Sequence, residues 1–346
     1  MEVDTLDFFQ TVSPLLNAKL MSEAPAEWDY VLANADYVPV ACTRSMVLYQ
    51  SAYITERVDS FADLSMILFH DDKPVGVWPL NMRFFEGVWV CGSNEGQVCP
   101  PLFIEKISGK ARKALITGCL SVLDTVCRMN GQKVWKGIES IGANGLDQWH
   151  RKIMERGGTI QQVSHELFVD LYMRLEEIRS NIRKSYKSLL SMGDKLWQMA
   201  VLDKVSPEVF SEFRQLHYHV AGRSTRSAET WSMQEQAIHD GEAFLVVLRD
   251  SNGVMVGGGL FHISKSEGLY AVGAYNRDLF DKPLGHVVQM KAVEYMKKRG
   301  LRWYKIGERF YPGDSGSPTE KELSISHFKE GFATHMFLRL HFELSI

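Results

Sequence analysis

The chain has 346 residues, too many for one ordinary core and enough for two domains of average size. Apolar residues make up 45% and charged residues 23%, and the formal charge is −3 with a pI near 6.4, so no strongly basic surface advertises nucleic acid. The sequence has no apolar run of the roughly 18 residues that a membrane span needs, and MEVDTLDFFQ lacks a signal peptide's basic start, so a cytoplasmic setting is expected.

Residues 1–60 read as helix and loop punctuated by Pro14, Pro25 and Pro39. LSMILFHDDKPVGVWPLNMRF predicts a hairpin that turns at Asp71-Asp72-Lys73, with its second strand from Pro74 to Phe84. GVWVCGSN is a third strand, interrupted by Pro100-Pro101. Ala114, Leu115, Cys119, Val122 and Val126 recur at helical steps, which predicts a helix over Lys110–Asn130. VWKGIES is a strand, Leu146–Arg156 a helix stopped by Gly157-Gly158, and HELFVDLYM a closing strand. Cys42, Cys91, Cys99, Cys119 and Cys127 all lie in this half; their odd number and lack of a C-x-x-C pair predict reduced, buried thiols.

Arg174–Met192 reads as one charged helix joining the halves. LWQMAVLD is then a strand, followed by helices at Pro207–Val220 and about Thr230–Asp240. AFLVVLRDSNGVMVGGGLFHIS is a hairpin turning at Asp250–Gly253, and GLYAVGAYN is the next strand. A long helix (Leu284–Arg299), the strand LRWYKIGE, a helix (Glu320–Phe332) and the strand MFLRLHFEL complete the chain. DDKPVGVWPLN aligns with DSNGVMVGGGLF, and MNGQKVWKGIES with KRGLRWYKIGE, so one α/β unit is written twice.

The repeated order resembles the GCN5-related N-acetyltransferase (GNAT) fold, and the whole chain resembles the FemAB-like and CelD-like acetyltransferase group that pairs two such units. Three segments carry the likeness: IRSNIRKSYKSLLSMGD, the Gly-rich strand Val256–Gly259 after HYHVAGRSTRSAETW, and GAYNRDLFDKPLGHVVQMKAVEYMKKRGLRWYKIGE. It implies a tandem α/β (α+β) acyl-CoA N-acyltransferase fold: a scaffold half over 1–173, a basic connecting helix over 174–195 and a catalytic half over 196–346. It also implies transfer from acyl-CoA, foremost acetyl-CoA, to an amine on an amino sugar or a cell-envelope or surface-polysaccharide precursor. The rival readings are an aminoacyl-tRNA-dependent ligase acting on a peptidoglycan-like precursor, and a non-catalytic binding protein derived from the same fold. The sequence departs from the group twice: where Q/R-x-x-G-x-G/A is usual it has Asp281-Lys282-Pro283-Leu284-Gly285-His286, and it lacks the long helix pair of the tRNA-dependent enzymes.

Candidate residues are set by the chemistry of acyl transfer, which needs a held donor, a neutral amine and a partner for the developing oxyanion. Pro283, Gly285 and His286 open the long helix, whose N–H groups suit a pyrophosphate. Tyr275 ends a strand beside them, as a proton donor to the leaving group or as a packed aromatic. Glu308 at the end of LRWYKIGE is the first choice for a general base; a salt-bridged surface residue is the alternative. Arg223, Arg226 and Trp231 form either a loop suited to phosphate or carboxylate or a solvated interhelical loop, while Lys305, Arg309 and Lys329, the last on a helix face with plain solvation as its alternative reading, complete the substrate-binding set. His217 and His219 are too close in sequence for two ligands on one helical face, so no metal is expected.

Overall fold

The structure, a computed structural model, describes residues 5–94, 96–141 and 147–346. The chain divides into two compact units, Met1–Ser164 with Leu338–Ile346, and His165–Phe337. The fold is mixed α/β, with the hairpin, strand, long helix, strand and helix order running twice along the chain.

The first unit opens with α1 (Thr5–Val12), β1 (Ala18–Leu20), α2 (Pro25–Asn34) and α3 (Arg44–Thr55). Then come β2 (Ser60–Asp63), β3 (Met66–His70), β4 (Lys73–Trp78), β5 (Asn81–Phe85), β6 (Val88–Gly92) and β7 (Leu102–Phe103). They form two sheets, ordered β1-β3-β4-β7 and β2-β5-β6. The strand predicted over 74–84 is therefore two strands, parted at Pro79, which has no N–H for a ladder. The β3–β4 turn falls on Asp71 and Asp72 as expected, both with positive φ, a backbone state that aspartate tolerates better than most residues.

The long helix α4 (Gly109–Met129) starts at Ser108, whose hydroxyl accepts the Ala111 N–H at 3.1 Å. Its Cys119, Leu120, Leu123 and Val126 enter a core with Trp78, Trp135 and Trp149. All five cysteines are free thiols, and burial pushes those of Cys91, Cys119 and Cys127 up, which keeps them protonated. β8 (Val134–Ile141) pairs antiparallel with Leu338–Ser345 of the last strand, His335–Ser345. The helix expected over Leu146–Arg156 is α5 (Gln148–Glu155); Leu146 lies outside the described residues. The last element of this half, β9 (Thr159–Asp170), continues into the second unit.

β8 carries one charge inward. Glu139 is buried, 3.8 Å from the buried His150 Nδ1. Burial, with Asp147 nearby, pushes its carboxyl from 4.5 up to about 9. The fold therefore favours the protonated acid, so this stability is whole below pH 4.5 and drains away as pH rises toward 9. Glu139→Gln should flatten that decline, giving a variant that melts above the wild type at pH 8 and level with it at pH 4, by thermal unfolding at both pH values.

In the second unit, the single helix predicted over Arg174–Met192 is two, α6 (Leu175–Asn181) and α7 (Lys184–Leu196). The chain breaks at Ile182-Arg183 because the Arg183 N–H donates to the Gly331 carbonyl at 2.8 Å instead of continuing a helix. β10 (Gln198–Leu202), α8 (Pro207–Ala221), α9 (Ala228–His239), β11 (Ala243–Arg249), β12 (Met255–Ile263) and β13 (Glu267–Tyr275) follow. α10 (Leu284–Lys298), β14 (Trp303–Arg309) and α11 (Glu320–Glu330) complete the unit. The strand order is β10-β11-β12-β13-β14-β9, antiparallel throughout except for the β13–β14 pair, which α10 connects.

Alternation along the strands builds two cores. Phe244, Val246, Leu248 and Phe261 meet α10 on one face. Leu245, Val247, Leu260 and Val272 meet Phe210 and Phe213 of α8 and Trp231 of α9 on the other. α7 lies on α10 through Gly193, where an added β-carbon would stand 2.3 Å from Val287 Cγ1. Helix propensity favours alanine over glycine by about 1 kcal/mol. Overpacking outweighs it, so Gly193→Ala should destabilise the protein by about 1–3 kcal/mol in denaturant unfolding.

Candidate active site

β13 and β14 run parallel only from Glu267–Leu269 against Trp303–Lys305. Beyond this point Tyr270–Tyr275 and Ile306–Arg309 are not paired with each other. A bulge on the β9 side of β14, between Lys305 and Gly307, accompanies the parting. The facing backbone groups of these two stretches are not used in a β13–β14 ladder.

Lys329 reaches this place from α11. Its ammonium stands 5.6 Å from the centroid of the Tyr270 ring, a cation-over-aromatic placement. Burial pulls its pKa below the usual lysine range, and the Glu308 carboxylate pulls the other way, toward keeping the charge. Glu308 itself stands opposite Glu166 in the β9–β14 register. Glu166 is fully buried and pairs with Lys305 Nζ at 2.5 Å, so Lys305, expected to bind substrate, is engaged by a neighbouring strand.

Tyr275, a half-buried residue, shares a hydrogen bond of 3.0 Å with the Tyr270 hydroxyl. Burial pushes both phenols up, Tyr270 to about 12, so each keeps its proton. Tyr304 from β14 donates its hydroxyl proton to Gln289 Oε1 of α10. Gly285, near the start of α10, lies against Tyr275 and Phe328: its added β-carbon would stand 3.6 Å and 3.1 Å from these rings. Gly285, Tyr275, Tyr270 and Lys329 thus form one continuous line. Pro283 caps α10 without a side-chain bond, and His286 sits among Tyr186 and Phe328 with ring centroids 4.6 Å and 5.0 Å away. Burial drives its imidazole to about 4, hence neutral at physiological pH.

Arg309 holds α11 in place. Its Nε lies 3.2 Å from a Glu330 carboxylate oxygen, its Nη1 donates to Ser326 Oγ at 3.2 Å, and its guanidinium lies 4.4 Å from the Tyr311 ring centroid. Arg183 closes on the same helix, 3.5 Å from Glu330. Thr319 and Glu322 form the capping box at its start.

The arginine-rich loop falls elsewhere. Trp231 is buried in the core of the α8–α9 face with Phe210 and Phe213, and Arg226 lies 5.5 Å from its ring centroid. Arg223 is exposed just after the α8 C-cap. A small cavity of about 110 Å³ between α8 and α9 touches Arg214, Trp231 and Glu235. These groups lie across the sheet from Lys329, so the structure brings together Tyr275, Gly285 and Lys329, with Glu308 near enough to act on the Lys329 charge, but not Arg223, Arg226 or Trp231. Sequence reasoning missed Gln289, Glu166 and the place of Tyr270 beside Lys329. A glutamate within the apolar HELFVDL was the one available signal. Among the described residues no cluster of His, Cys, Asp or Glu could hold a metal ion, and no helix is long and apolar enough to cross a membrane.

The crystal structure of FemX superimposes with a TM-score of 0.65 at 12% identity, covering 86% of this chain and 91% of FemX. The fold is FemAB-like. L-PGS from Bacillus licheniformis aligns at TM-score 0.58 and 12% identity over 94% of this chain and 91% of its own. The C-terminal domain of a putative lysylphosphatidylglycerol synthetase from Agrobacterium fabrum aligns at 0.62 and 11% identity over 93% of each chain. At these identities the likeness is one of fold. No family model and no curated protein matches the sequence.

Arg309→Leu should cost about 2 kcal/mol, the scale of a hydrogen bond to a charged group. Hydrogen exchange should localise the loosening to 320–330; a uniform change across the unit would count against Arg309 as the anchor of α11.

Proposed function

We propose that the second unit transfers an acyl group from a carrier ester or thioester to an amine, at the parting of β13 and β14. The observation that carries this reading is the lysine held in that parting, over Tyr270 and within the field of Glu308. A half-buried ionisable group beside a specific charge partner is costly to keep and often found at reaction centres.

In this reading the donor carbonyl lies beside Lys329. The acceptor amine, neutral when it attacks, forms the C–N bond and passes a proton to the Glu308 carboxylate. The Lys329 ammonium faces the oxyanion of the tetrahedral intermediate. When the C–S or C–O bond breaks, the leaving group takes a proton from Tyr275, which burial keeps protonated until then, and the proton on Glu308 passes back to that phenolate. Lys305 and Arg309 serve as struts here, through Glu166 and Glu330, more than as ligands.

Acyl-CoA is the first donor to consider. The α10 start at Pro283–Gly285 lies next to Tyr275, where first-turn N–H groups could take a pyrophosphate. His286 contributes no charge there, since its ring is neutral and nested among aromatics. An aminoacyl ester is the second reading, favoured by the likeness to FemX and L-PGS and by the name of the Agrobacterium neighbour, which denotes a lysyl group on phosphatidylglycerol. The acceptor we propose is an amino sugar or a cell-envelope precursor bearing a free amine, in a surface-polysaccharide pathway. The N-terminal unit acts as scaffold.

Calorimetry and turnover with acetyl-CoA, longer acyl-CoAs, free CoA and aminoacyl-tRNA, each with amine acceptors, separate these readings. Binding and turnover of one donor class are expected; failure of every donor to bind would leave a non-catalytic binding protein. With the active donor, Lys329→Met should lower kcat about 10²–10³-fold, the usual cost of removing one oxyanion partner. Because the ammonium is the active form, wild-type activity should fall as pH rises through the lowered Lys329 pKa. Lys329→Arg should move that alkaline limb upward, and an unmoved limb would exclude Lys329 as its origin.

A further inference from the structure

We infer that Gly307 is a positioning residue: its lack of a side chain keeps open the slot through which Lys329 reaches the parted strands. Along β14, Tyr304 and Ile306 point into the core shared with α10. The bulge between Lys305 and Gly307 then resets the alternation, and Gly307 comes opposite Leu167, another member of that core. Gly307 therefore faces the side from which α11 approaches.

A β-carbon on Gly307 would stand 2.4 Å from Lys329 Nζ, 3.0 Å from its Cδ and 3.1 Å from its Cε. The outer half of the lysine fills the volume that any other residue would claim. The backbone at Gly307 has φ +146°, which L-residues rarely adopt, so the strand reaches this shape most readily with glycine. The lysine has little freedom to adjust in place. Tyr270 lies on one side, and α11 is tied to β14 by Arg309 through Glu330 and Ser326. The stem of Lys329 is flexible, however, and its tip is what meets the added carbon. An alanine at 307 finds room when the ammonium leaves the slot, at the cost of a strained backbone that the Gly313→Ala control also carries. Gly307→Ala thus keeps the charge in the protein and removes it from the site. The catalytic consequence rests on the role proposed above for Lys329; the placement does not.

The direct test is the titration of the Lys329 amine by NMR in isotopically lysine-labelled full-length protein, with its signal assigned by Lys329→Arg. In the wild type Lys329 should titrate below the exposed lysines. In Gly307→Ala it should rejoin them. Gly313→Ala is the control for backbone strain, since Gly313 also has positive φ but nothing within 4 Å of an added β-carbon; it should leave the titration alone. An unchanged Lys329 titration in Gly307→Ala would overturn the inference. Should that variant fold poorly, melting curves decide: with Lys329→Ala added, the double variant must melt above Gly307→Ala. A double variant that melts lower by the sum of the single effects would equally overturn it. Once a donor is known, Gly307→Ala should lose kcat on the scale of Lys329→Met, about 10²–10³-fold, with KM little changed. A shifted titration with full activity would instead retire Lys329 from the mechanism and leave the positioning role of Gly307 standing.

Discussion

The pairing of β13 with β14 stops after Leu269 and Lys305, and the chemistry proposed for the second unit depends on that stop. A parallel pair continued to its ends would bury its backbone in a ladder and leave no place for a carbonyl. Here the crossover through α10 starts the two strands together, and the bulge at Lys305–Gly307 re-aims the end of β14. A lysine comes to lie where the strands part. Its burial opposes its charge, and the Tyr270 face and the Glu308 carboxylate offset part of that cost. The arrangement is held from outside by α11, which Arg309 and Arg183 fasten through one glutamate, Glu330.

The two faces of the same sheet are used differently. The α8–α9 face is a packed aromatic core in which Phe210, Phe213 and Trp231 meet edge to face or tilted. Arg226 rests on that core as a cation over Trp231. The α10–α11 face carries hydroxyls, an amide and a cation among its apolar side chains: Tyr270, Tyr275, Tyr304, Gln289 and Lys329. Polar groups placed deep in an otherwise apolar face must be hydrogen-bonded to one another, as the Tyr270–Tyr275 and Tyr304–Gln289 pairs are.

Much of the fold was legible because period-two and period-3.6 patterns are local. The hairpin turning at Asp250–Gly253 and the α4 and α10 helices fall where the patterning places them. The break between α6 and α7 was not legible, since a hydrogen bond to Gly331, remote in sequence, decides it. In the site, Tyr275, Glu308 and Lys329 were nameable as residue types at strand and helix ends. Lys305 and Arg309 read as free cations because Glu166 and Glu330, which claim them, lie on other elements. The arginine loop stood out by composition, which says nothing about the face of the sheet it falls on. Gly307 could be read only as a strand glycine, since its meaning comes from Lys329 arriving across the bulge.

The proposed chemistry stands or falls on where a donor binds. The most direct measurement is hydrogen exchange of the full chain with and without a non-transferable donor, either a CoA thioether or an amide-linked aminoacyl-tRNA. Protection should concentrate in 267–275, 303–309 and the first turn of α10, around the parted strands. Protection confined to α8 and α9 about Arg226 and Trp231, or none with either donor, would contradict it.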